Sequence, residues 1–121
     1  QLPLLRLAEM YLIRSEARTR LGDILGAVSD LNVIRNRAGL TDTTGTGVDT
    51  AEKVLKAIAF ERSIEFMSEG HRWFDLVRTG RAMGTLENIP LYSGEFATLD
   101  ATYKQLFPIP RNIGEWQNPG Y

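Results

Sequence analysis

The segment VLKAIAFERSIEFMSEGHRWFDLVRTG, Val54–Gly80, carries charge inside its apolar face. Leu55, Ile58, Phe66 and Met67 recur at roughly helical spacing, yet Arg62 lies on the same stripe, four residues from both Ile58 and Phe66. Glu61, Glu65 and Glu69 form a second stripe of carboxylates at successive i,i+4 positions. Such carboxylates repel one another on an isolated helix, so cations or free backbone donors must lie against them. Arg62, Arg72 and Arg78 are the nearest cations in sequence. Two readings compete. In one, a Glu pair, or Glu69 with Asp75, does general acid and base work of the kind used in glycoside hydrolysis. In the other, Glu61, Arg62, Glu65, Glu69, Arg72, Asp75 and Arg78 form a partly buried structural network that fixes how the helix docks. The second is favoured because every acid has an arginine within one or two turns, and guanidinium–carboxylate pairs are the usual way to bury such groups.

The run Glu61-Arg62-Ser63-Ile64-Glu65-Phe66, followed by Glu69-Gly70-His71-Arg72-Trp73-Phe74-Asp75-Leu76 and Arg78-Thr79-Gly80, resembles the signature segment of the SusD/RagB family. Leu106-Phe107-Pro108-Ile109-Pro110 and Gln117-Asn118-Pro119-Gly120-Tyr121 are similar to the way those proteins end. The resemblance implies an all-α fold of tetratricopeptide-like antiparallel helix pairs with an irregular, extended C-terminal strap. It also implies a role: non-catalytic binding of an oligosaccharide or other nutrient at the cell surface by an outer-membrane lipoprotein. The implied partner is a TonB-dependent, SusC-like outer-membrane transporter, and no cofactor is implied. The family is several times longer than this chain, which resembles its C-terminal portion. The family's lipid-bearing Cys is not among these residues, and its leader either lies upstream of Gln1 or has been left off. Family motifs of this kind belong to the scaffold, so the resemblance transfers no binding residue.

At 121 residues the chain is one domain's worth, residues 1–121. With 14 basic and 15 acidic residues it lacks the basic excess that a nucleic acid or acidic lipid surface requires. Zero cysteines exclude a disulfide framework and a thiolate metal site. No apolar run reaches the roughly 18 residues of a membrane span.

In chain order, residues 1–40 read as a helix hairpin. Pro3 to Leu21 shows one apolar face, Leu4, Leu7, Ala8, Tyr11, Leu12 and Ser15, and a second edge, Met10, Ile13, Ala17 and Leu21. A helix apolar over so much of its circumference packs on two neighbours, which hints at structure beyond this chain. Gly22 stops it and Asp23 caps the next helix, whose stripe of Ile24, Ala27, Val28, Leu31, Ile34 and Ala38 ends at Gly39. Leu21-Gly22-Asp23, with Ala27 and Leu31 after it, resembles the turn of a tetratricopeptide unit, with Ser15 as the small residue for close helix contact. Arg35 and Arg37 are expected to be solvated or shared with the later carboxylates.

Residues 41–50 read as a mobile loop, and their two acids lack the spacing of a calcium loop. Asp49 or Thr50 then caps a central helix over 51–80, with a break expected at Gly70 and a short segment His71 to Arg78 after it. Trp73 and Phe74 read as an aromatic plug in preference to a sugar platform. His71, the only histidine, has neither a metal partner nor a nucleophile to activate. Residues 81–121 read as an irregular tail, with a turn of helix near Thr98 to Gln105 and an extended strip at Leu106 to Pro110. Trp116 and Tyr121 are expected to pin that tail to the helices. The best local combination for a sugar is Tyr92 with Asn88 and Glu95, since sugar sites want an aromatic face beside amide or carboxylate groups. No catalytic or metal-ligating residue is assigned. A tetratricopeptide-like adaptor binding a peptide or protein partner is the alternative reading.

Overall fold

The computed structural model describes residues 6–87, 89, 90 and 94. These form five helices: α1 (Leu7–Arg20), α2 (Ile24–Arg37), α3 (Ala51–Glu65), α4 (His71–Arg78) and α5 (Ala82–Leu86). No β-strand is found among the described residues. The chain divides into two compact units, Gln1–Arg72 and Trp73–Tyr121.

In the first unit the helices pack as antiparallel pairs, α1 against α2, with α3 across both. The reversal between α1 and α2 is local chemistry. Gly22 takes a left-handed φ of 87° that a side chain would oppose. The amides of Gly22 and Asp23 donate back to the carbonyls of Thr19 and Arg18, satisfying groups that the helix end leaves open. Asp23 then caps α2, accepting from the Gly26 amide at 2.9 Å. Between the two helices, the fully buried Ser15 hydroxyl donates to the Ala27 carbonyl at 2.7 Å. A small residue is needed there, and its hydroxyl is satisfied without a water.

The core is one cluster drawn from all three helices. Ala8 and Leu12 of α1 meet Ala27, Val28, Leu31 and Ile34 of α2, and Val54 and Ile58 of α3, with Phe66 closing one end. The second apolar edge of α1 is left outside: Met10 and Ile13 are exposed, as is Leu7, which was read as facing inward. On α3, Phe60 and Ile64 are exposed at i and i+4, and Met67 is exposed in the turn that follows.

Three expectations need correction. The central helix does not run to Gly70. It ends at Glu65, with Phe66 as its C-cap, and a turn over 66–70 precedes α4. Ser68 sits at φ 69° and Gly70 at φ 81°, so two left-handed residues make this turn, and only the glycine advertises itself in sequence. The loop over 41–50 is anchored. Thr43 is buried, and its amide and hydroxyl both donate to Asn32 Oδ1, at 3.0 and 2.9 Å. Finally, α5 forms where an irregular tail was expected to begin. Its Ala82 is buried, but a five-residue helix containing Gly84 is too short to show a period. The expectations for Thr98 to Gln105, Leu106 to Pro110, Trp116 and Tyr121 lie outside the described residues.

Candidate functional site

The carboxylates of α3 meet cations that are remote in sequence. Glu61, buried, pairs with Arg35 of α2. Glu65 pairs with Arg6 at 2.5 Å and also with Arg37 of α2. Arg6 further reaches Glu69 and donates to the Glu65 carbonyl at 3.1 Å. One guanidinium at the entrance of α1 therefore holds both the end of α3 and the turn that follows it.

Phe66 is the apolar centre of this arrangement. The guanidinium carbons of Arg6 and Arg62 lie 5.5 and 5.2 Å from its ring centroid, within cation–π range. His71 completes the enclosure, its ring centroid 4.8 Å from that of Phe66 and its Nδ1 3.8 Å from Glu9. Arg62 is thus buried against an aromatic face, which explains a cation on the apolar stripe. Arg72 is exposed. In the second unit, Asp75 is buried and accepts from Arg78 Nε at 2.9 Å. Phe74 is 62% exposed, so it is no buried plug, while Trp73 is half-buried.

A second clamp escaped the sequence reading. Asp30 of α2 is buried on the core side, and it accepts from Arg14 at 2.8 and 2.6 Å and from Arg18 at 2.9 Å. The hydrogen bonds and charge of Asp30 raise the Arg14 pKa above its ordinary value. The signal was available: Asp30 falls inside the α2 stripe between Ala27 and Leu31, and Arg14 and Arg18 share a face of α1 at i,i+4. At the start of α3, Thr50 accepts from the Lys53 amide, and Lys53 and Lys56 pair with Asp49 and Glu52. Those lysines hold both carboxyls below the usual carboxylate range.

One open groove stands apart from these ion pairs. It has a volume of about 360 Å³ and lies between the outer face of α2 and residues Asp42 and Thr44 of the following loop. Asn88, Tyr92 and Glu95, the sugar-site candidates, lie outside the described residues. Among the described residues no group of three or more His, Asp or Glu side chains is placed to hold a metal ion. No described helix is long and apolar enough to cross a membrane.

Residues 1–121 match the family model described as the SusD family. The starch-binding protein SusD of Bacteroides thetaiotaomicron is 35% identical over 126 residues, covering 99% of this chain and 21% of that protein. SusD-like protein P38 of Formosa agariphila is 35% identical over 86 residues, or 66% of this chain and 17% of the relative. SusD-like protein P25 of the same organism is 31% identical over 107 residues, or 87% and 20%. The chain thus spans about a fifth of the length of the curated relatives it matches. No solved structure matches it.

Proposed function

This chain belongs to the SusD family, and on that premise we propose that the protein it forms part of binds a glycan or similar nutrient without altering it. In this reading the protein is a lipoprotein at the outer surface of a Gram-negative cell, and it delivers its ligand to a TonB-dependent, SusC-like transporter. The observation that carries the reading is the likeness, across nearly the whole chain, to a relative whose name is starch-binding protein. The chemistry of the first unit agrees with binding in place of catalysis. Glu61, Glu65 and Glu69 are each committed to a guanidinium, whereas a glycosidase needs two carboxyl groups facing one glycosidic bond.

Within that protein the α1–α3 unit acts as scaffold. Contacts to ligand come from loops, where exposed aromatic, amide and carboxylate groups can meet a sugar, and Asn88, Tyr92 and Glu95 remain the candidates from this chain. To test the reading, the full-length protein is titrated calorimetrically with a panel of oligosaccharides, the recovered sugar is analysed for cleavage, and co-purification with an outer-membrane transporter is probed. Saturable binding with intact sugar is expected. Cleavage that disappears in Glu69→Gln or Asp75→Asn would instead make the protein an enzyme.

A further inference from the structure

The groove on α2 has a chemistry that the ion-pair network lacks. Residues 25, 28, 29, 32, 33 and 36 follow one face of the helix. Between Leu25 and Asn36 that face runs about 16 Å at about 1.5 Å per residue. Val28 and Asn32 are buried and form its base, while Leu25 and Val33 are exposed along it. Ser29 and Asn36 add a hydroxyl and a carboxamide, both exposed, and Asp42 supplies a carboxylate from the loop. The volume of about 360 Å³ lies at the small end of the roughly 300–1,000 Å³ of ligand pockets.

The loop side of the groove is fixed in advance. Asn32 Oδ1 spends both lone pairs on the Thr43 amide and hydroxyl, and Nδ2 donates to Thr44 Oγ1 at 3.0 Å. This assignment leaves one Asn32 N–H and the Thr44 hydroxyl proton to donate elsewhere. Asp42 and the Asn36 carboxamide oxygen, which also line the groove, can accept. No lysine or arginine lines the groove, so nothing in it selects an anion. Donors and acceptors interleaved along an aliphatic strip suit a ligand with hydroxyl edges and a C–H face.

From this geometry we infer that the groove formed by α2 and the Asp42–Thr44 loop is a subsite for a neutral oligosaccharide. Asp42 and Asn36 accept from sugar hydroxyls, Thr44 donates, and Leu25 and Val33 cover a C–H face. The inference rests on the nutrient-binding reading and adds to it a place on the scaffold, apart from the Asn88, Tyr92 and Glu95 candidates. With no aromatic platform, the subsite is an auxiliary contact that lengthens the stretch of glycan held.

The test uses the full-length protein and four probes: maltoheptaose, cellohexaose, laminarihexaose and xylohexaose. Affinity is measured by calorimetry for the unsubstituted protein, for the Asp42→Ala/Asn36→Ala double variant, and for Ser29→Arg, which fills the groove from an exposed helix position. The subsite predicts that both variants weaken the probe that binds by at least fivefold, with an unchanged thermal midpoint. It also predicts that a shorter oligomer of the same sugar loses less. Unchanged affinity in both variants overturns the subsite and leaves the nutrient-binding reading standing. Failure of every probe to bind the unsubstituted protein overturns the subsite for neutral glycans, whereas the nutrient-binding reading, which covers other glycans and nutrients, is judged by the wider panel.

Discussion

At the scale of single residues, the ion pairs are unequal because their members are unequally buried. The Glu61 side chain is 6% exposed and that of its partner Arg35 is 20% exposed. Arg35→Ala therefore strands a carboxylate out of water, and we expect a loss of about 3–5 kcal/mol of stability in chemical denaturation of the full-length protein. Replacing both members with Met should recover much of that loss, because the pair's attraction mostly offsets its own desolvation. Arg35 Nε also donates to the Thr41 carbonyl at 3.1 Å, so both variants loosen the loop beside the groove as well. Unchanged stability together with lost binding would move the pair from scaffold to ligand site. Asp30 shows the same asymmetry from the acid's side. Removing Arg14 leaves Asp30 with Arg18, so Arg14→Ala should disturb the fold less than Asp30→Ala.

At the scale of elements, sequence was most informative where structure is decided locally. Gly22, Asp23, Gly39 and Thr50 mark helix ends through conformations and side-chain acceptors within three or four residues, and they act as read. The end of α3 was misplaced because Ser68 adopts a left-handed backbone without the residue type that signals it. The partners of the α3 carboxylates were legible only in part. Arg35 and Arg37, expected to be solvated or shared with the later carboxylates, pair with Glu61 and Glu65, whereas Arg6 meets Glu65 across 59 residues, a separation no spacing rule reaches. The start of α3 offers a pH prediction. Asp49 and Glu52 have folded pKa values below their unfolded ones. Their contribution is therefore complete above the ordinary carboxylate range and is lost as pH falls through the depressed values. Lys53→Met should raise the Asp49 carboxyl toward its ordinary titration, short of it because a backbone hydrogen bond also lowers it, followed by carboxyl NMR shifts, and should leave Glu52 unmoved. An unshifted Asp49 would show that Lys53 does not hold it in solution.

At the scale of the whole molecule, the chain leaves large apolar side chains in water. Leu7, Met10 and Ile13 on α1, and Phe60 and Ile64 on α3 with Met67 in the turn after it, make faces of a kind that isolated domains seldom expose. The isolated 121-residue chain is expected to show strong far-ultraviolet helicity, weak near-ultraviolet dichroism and binding of a hydrophobic dye. A dye-free monomer with a sharp cooperative transition would show that the chain covers these faces itself. The contact between Arg6 and Glu65 bears on a different property, the order of folding. It joins positions 59 residues apart, and closing so long a loop in a disordered chain costs about 2 kcal/mol more than an i,i+4 contact. Prior docking of α1, α2 and α3 removes most of that cost, so the contact is expected to form on the native side of the folding barrier. Arg6→Ala should accordingly speed unfolding while leaving the refolding rate within about twofold, the kinetic pattern of a late contact. A residue of that kind leaves the route to the fold unchanged and lengthens the lifetime of the folded state.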